Sequence, residues 1–136
     1  MTIRLLALAA VAAGVFAGAA VAARDAAVPR GTYSATVRGQ SAALNGTWKL
    51  TFGPVAGAYT GPLTVTRNGA LAVVGTFTAS SGKLALVDNR GPYACKGRQS
   101  AGIYTYSLNG NKLKLSLVLD LCTGRKRLLA GRTFTR

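Results

Sequence analysis

Gly46-Thr47-Trp48-Lys49-Leu50-Thr51-Phe52 is the clearest strand in this chain. Trp48, Leu50 and Phe52 fall on one face; Thr47, Lys49 and Thr51 fall on the other. That period-2 alternation is the mark of a strand with one buried side. The stretch also holds the only tryptophan, so the largest apolar side chain marks the buried face. The same pattern recurs on both sides of it. Thr32–Val37 is a weaker strand. Ala58–Arg67 puts Tyr59, Leu63 and Val65 on one face, and Asn68-Gly69 is the strongest two-residue hairpin signal available. Leu71–Thr78, with Phe77, follows, and then the short Lys83–Asp88. Gly102–Leu108 aligns Tyr104 and Tyr106 with Leu108, and Lys112–Asp120 aligns Leu113, Leu115, Leu117 and Leu119. Cys122-Thr123-Gly124 reads as a turn and Arg127–Thr135 as the last strand. Eight strands, tight turns and no helical periodicity after the N-terminal segment predict an all-β chain. The expected form is an eight-stranded antiparallel up-and-down barrel, closed so that no sheet edge is exposed. An open two-sheet sandwich is the alternative.

Met1-Thr2-Ile3-Arg4 is a short positive start, Leu5 to Ala20 is apolar, and Ala20-Val21-Ala22 has the form of a cleavage site. This predicts a signal-peptide helix over 1–22 and a barrel domain over 23–136, in a secreted or periplasmic, cell-envelope protein. A membrane anchor is the competing reading of the first segment. Seventeen Lys and Arg against three acids give a formal charge of +14. Such a balance favours polyanions, whether nucleic acid, acidic polymer or anionic lipid surface.

The chain has no histidine, and its only acids are Asp25, Asp88 and Asp120. Ser-His and Cys-His nucleophilic pairs and His-based metal sites are therefore excluded. No enzyme, metal or cofactor is expected. In an up-and-down meander Asp88 and Asp120 both end strands at the same barrel end. Arg90, Arg125 and Arg127 lie near them in sequence, so the carboxylates read as salt-bridge or turn-capping groups rather than a catalytic pair. Cys95 and Cys122 follow those two strands, and in an exported chain two cysteines allow one bridge. Arg38, Arg67, Arg90, Lys96, Arg98, Arg125, Lys126 and Arg127 collect at this end as well, a candidate anion-binding surface.

Gly46-Thr47-Trp48 at the head of a strand resembles the glycine-x-tryptophan signature of the calycin superfamily, the lipocalins and their relatives. Leu44–Phe52, Thr64–Gly69, Val74–Thr78, Asp88–Cys95, Gly102–Leu108 and Asp120–Arg125 together resemble small secreted bacterial lipocalin-like proteins. The resemblance implies a barrel with an apolar cavity and a basic side chain from the last strand, Arg136 or Arg132, over Trp48. It also implies that the Trp48 end is closed. A cavity mouth would then lie opposite, among Gly53–Gly57, Ser80–Gly82 and Asn109–Asn111, separate from the basic surface. Phe134 stands where a tryptophan would be expected.

The strand faces nominate Trp48, Leu50, Phe52, Tyr59, Leu63, Val65, Phe77, Tyr104, Tyr106, Leu115 and Leu117 as the interior, lining a pocket or filling a solid core. The expected protein is a monomer that binds a small apolar or amphipathic ligand in the barrel. The alternative is an interaction protein that holds an anionic polymer or partner at its basic end. A secreted protease inhibitor on a similar barrel is a third reading.

Overall fold

Gly46–Phe52 forms a strand (β2) between two antiparallel neighbours, β1 (Gly31–Val37) and β3 (Thr60–Arg67), with Trp48 opposite Ala35 on one side and Arg67 on the other. The computed structural model describes residues 27–57 and 59–136, and the signal-peptide reading at 1–22 lies outside them. The remaining strands are β4 (Ala70–Ser80), β5 (Lys83–Arg90), β6 (Ala101–Asn109), β7 (Lys112–Asp120) and β8 (Thr133–Thr135). They pair in sequence order, and β8 returns to β1 to close an eight-stranded antiparallel barrel. One short 3-10 turn, Gly97–Gln99, interrupts the β5–β6 loop.

Local chemistry sets the first hairpins. Asn68 and Gly69 both have positive φ, 50° and 82°, as the tight turn between β3 and β4 requires. The Asn68 side chain then reaches across to accept the Thr47 amide at 2.8 Å. A Cβ at Gly46 would sit 2.7 Å from that same Oδ1, and φ there is 136°. The glycine that opens β2 is thus required by the turn two strands away.

Several sequence expectations fail here. Arg127–Thr135 is not one strand: Thr123–Leu129 is a helix (α1), and only Thr133–Thr135 is extended. The helix buries Arg125, Leu128 and Leu129, and its N-cap acceptor is the Cys122 sulfur, which takes the Arg125 amide. In β7 the register shifts opposite Ile103 and Tyr104, so Leu117 and Leu119 become the partners of Tyr104 and Ile103 while Val118 has none. Such a bulge interrupts the alternation. Leu113 and Leu115 stay buried, whereas Leu117 is exposed. Tyr59 is also exposed, because it lies in a turn with φ 55° before β3 begins. Tyr106 is half-buried.

The end of the barrel away from α1 is filled by rings. Tyr33 meets Phe52 edge-on at 6.0 Å, and Phe52 meets Phe77 edge-on at 5.0 Å, the arrangement favoured by ring quadrupoles. Phe77, Phe134, Leu84 and Leu113 there are fully buried. Gly61 leaves the room: a Cβ would lie 2.9 Å from the Phe77 ring.

Candidate functional site: the capped end of the barrel

At the other end, α1 and the loop after β5 lie over the strand ends, joined by the Cys95–Cys122 disulfide across a 27-residue separation. Beneath them Arg125 holds both carboxylates of this end. Its Nε donates to Asp120 Oδ2 at 2.7 Å and Nη2 to Asp120 Oδ1 at 2.9 Å, while Nη1 lies 3.0 Å from Asp88 Oδ1. Nη1 also donates to the Ser100 carbonyl at 2.8 Å and Nη2 to that of Gln99 at 2.9 Å. Four of the five N–H groups of the guanidinium make hydrogen bonds, and its charge is paired with Asp88 as well. Each carboxylate also anchors a cysteine: the Cys95 amide donates to Asp88 and the Cys122 amide to Asp120, both at 2.8 Å. Tyr104 completes the network by donating its hydroxyl to Asp120.

The two aspartates do meet, through a cation, as the sequence reading expected of them. Burial opposes ionisation of Asp120, but its hydrogen bonds from Arg125, Tyr104 and Cys122 prevail and its pKa falls below 3.8. Burial, and then the bond to that carboxylate, push the Tyr104 hydroxyl well above its ordinary range. Neither group is poised for proton transfer near neutrality. Gly102 is what admits the pair. A Cβ there would fall 2.5 Å from Asp120 Oδ2 and 3.0 Å from Arg125 Nη2.

Between this cap and the core lies a cavity of about 300 Å³. Trp48, Leu50, Leu63 and Val65 supply its barrel wall together with Val73 and Leu86. Leu44, Tyr93, Leu128 and Leu129 supply the cap side, with Gln99, Thr123, Arg125 and the disulfide. The cavity thus lies at the Trp48 end, away from the loops among which a mouth was expected. The rings of Phe52 and Phe77 fill the far end, and α1 roofs the cavity at the near end. Of the eleven residues nominated for the interior, four line the cavity. Phe52 and Phe77 belong to the aromatic plug, while Tyr104 and Leu115 are buried without lining it. Leu128, Leu129 and Tyr93 were missed, the first two because a seven-residue helix is too short to show a period.

The arginine over Trp48 is also a correction. It is Arg67, with its guanidinium carbon 5.8 Å from the indole centroid and 5.5 Å from the Tyr93 ring. Arg136 instead stands 5.6 Å over Tyr33 at the far end, and Arg132 donates to the Leu128 carbonyl. Cross-strand pairing decides it, since Arg67 is the register partner of Trp48. Arg67 Nε is held by the Asn45 carbonyl at 2.9 Å, and Trp48 donates its indole N–H to the Leu44 carbonyl at 2.7 Å. Tyr93 packs edge-on to Trp48 at 5.4 Å.

The proposed anion surface is therefore reduced. Arg125 and Arg67 are committed to protein acceptors. Arg38, Arg90, Lys96, Arg98 and Arg127 are exposed at this end, and Lys126 is half-exposed.

Comparison with protein-family models, with curated proteins and with solved structures gave no match. The class defined by these observations is architectural: a closed eight-stranded antiparallel barrel, solid at one end and hollow beneath a disulfide-tied cap at the other.

Proposed function

We propose that this is a secreted, lipocalin-like, non-enzymatic protein that holds a small apolar or amphipathic ligand beneath its cap. The observation that carries the reading is the apolar cavity walled by Trp48 and α1. Its volume is at the lower end of the roughly 300–1,000 Å³ typical of ligand pockets, which suits a small molecule. The polar inventory favours an apolar body. Arg125 is turned onto its two aspartates and two carbonyls, and among the described residues no buried side-chain polar atom lacks a partner. Gln99, Thr123 and the hydroxyl of Tyr93, all exposed on the cap side of the lining, offer polar contacts. The disulfide is in keeping with an oxidising compartment. Lipocalin likeness rests on Gly46-Thr47-Trp48 and the barrel; an arginine from β3 over the tryptophan is a departure from that pattern.

The test uses Trp48 as its own reporter. Organic extracts of the purified protein should contain a stoichiometric small molecule by mass spectrometry. Stripped protein titrated with a medium-chain fatty acid should change its tryptophan emission, with little dependence on salt. Val65→Phe, which fills the cavity, should abolish that response while the protein stays folded. A protein that yields no extractable ligand and whose emission ignores apolar probes has a void and not a site.

A further inference from the structure

The outer surface of β7 is unlike the rest of the barrel. Leu117, Val118, Leu119 and Leu121 are 43, 50, 59 and 57 % exposed, and Ile103, the cross-strand partner of Leu119, is 36 % exposed. The other large exposed hydrophobics among the described residues, Tyr59, Leu71 and Tyr93, come from three other segments. Single exposed apolar side chains are ordinary; a contiguous group of five is not. The bulge in β7 creates it by replacing the polar-out alternation of Lys112, Lys114 and Ser116 with three consecutive exposed apolar residues.

The charge around this patch is of one sign. Exposed Lys112 and Lys114 precede it on the same strand. Beyond Leu121 the chain enters Cys122, whose bridge brings in Lys96, and then α1 with Lys126 and Arg127; Arg98 sits in the 3-10 turn whose Gln99 carbonyl receives Arg125. Among the described residues the only acids are Asp88 and Asp120, and both are buried. An apolar stripe that ends in cations at both sides, with no exposed acid among the described residues, is complementary to an anionic lipid bilayer. Leucines enter the acyl boundary while lysines and arginines meet the headgroups. A polyanion would use the cations and leave the leucines in water, and a second copy would bring like charge against like charge.

We propose that the Leu117–Leu121 segment with Ile103 is a docking surface for anionic membrane, flanked by Lys96, Arg98, Lys114, Lys126 and Arg127. The stripe ends two residues before Thr123, which lines the cavity, so docking turns the cap towards the lipid. This does not require the cavity to hold a ligand.

The experiment is co-sedimentation of the protein, in the form the producing cell releases, with vesicles of phosphatidylcholine alone or mixed with phosphatidylglycerol. Mixed vesicles should bind it and neutral ones should not. Leu119→Glu with Leu121→Glu should weaken binding roughly tenfold or more, and Arg98→Glu with Arg127→Glu should weaken it comparably and flatten its salt dependence. These sites are exposed, and unchanged Trp48 emission verifies the fold; Leu119→Ser with Leu121→Ser provides a milder pair. Equal binding to neutral vesicles overturns the proposal. So does binding that survives the leucine changes, which would identify a polyanion reader. Leucine variants that only dissolve a dimer would make the occupant a second copy and overturn it too.

Discussion

The two ends of this barrel are held together by opposite means. At the far end Tyr33, Phe52 and Phe77 interlock edge-to-face, and Phe134 fills the space beside them. Among the described residues the buried charges, Asp88, Asp120 and Arg125, all lie at the other end. At the near end a buried guanidinium joins two carboxylates, two carbonyls and, through those carboxylates, two cysteine amides. Directional bonds fix positions without filling volume, so this end holds a cavity beside Trp48. An apolar plug gives stability through close packing. A polar clamp gives geometry, and it leaves room for something else.

The largest effect should come from breaking the clamp. Arg125→Ala strands two buried carboxylates, and removing one partner of a buried ion pair costs about 3–5 kcal/mol. With both acids orphaned the loss should reach the top of that range in urea titration. Adding Asp88→Asn and Asp120→Asn to the same chain should recover much of it, because neutral amides need no counter-ion. If the triple variant is as unstable as the single one, the clamp acts through packing and the contrast between the ends collapses.

Phe77→Ala should cost about 4 kcal/mol, as large-to-small changes in a packed core do. It should leave Trp48 emission and any ligand response unchanged, since its damage is confined to the far end. A shifted emission in that variant would show that the two ends are one cooperative packing unit.

The smallest effect is on pH dependence. Folded Asp120 has a depressed pKa, so its contribution to stability is fully present above the ordinary value of 3.8 and is lost as the pH falls through the lower folded value. Acid titration of wild type should therefore show a loss of stability below that pH which Asp120→Asn reduces. Phe77→Ala should retain the full slope. Identical slopes in wild type and Asp120→Asn would mean that the carboxylate is not paired in solution.

Much of this fold was legible because a strand's alternation is a strong local signal. Trp48, Leu50 and Phe52 announce their face, Asn68-Gly69 announces its turn, and meander parity brings Asp88, Asp120 and both cysteines to one end. What escaped depended on interruptions of local rules. The β7 bulge turns Leu117 outward through pairing with β6, which no feature of Lys112–Asp120 reveals. The α1 helix is seven residues long and is capped by a cysteine sulfur instead of the usual serine, threonine or aspartate. Without it the cap side of the cavity, Leu128 and Leu129, went unread, and the resemblance to calycins set the expected mouth at the opposite end. The arginine over Trp48 was sought in the last strand, whereas cross-strand register placed Arg67 there. Gly102 was a usable clue. A glycine inside a strand signals a close approach, and here it faces the Asp120–Arg125 pair.

The closure of the barrel has a kinetic consequence. Ser34 and Thr135 are 101 residues apart, yet their pairing and the hydrogen bond from the Ser34 hydroxyl to the Thr135 carbonyl join the first strand to the last. β8 offers only three residues for this seam. The hairpins from β1 to β7 can form from near neighbours in the chain, but the seam has to wait until all the intervening strands have been made. High sequence separation of this kind slows folding, because the entropy of a long loop is lost before its contacts form. A chain stalled before Thr133 would keep the free edges of β1 and β7, and those edges invite pairing with another molecule. Thr133–Thr135 therefore decide when this barrel stops being adhesive.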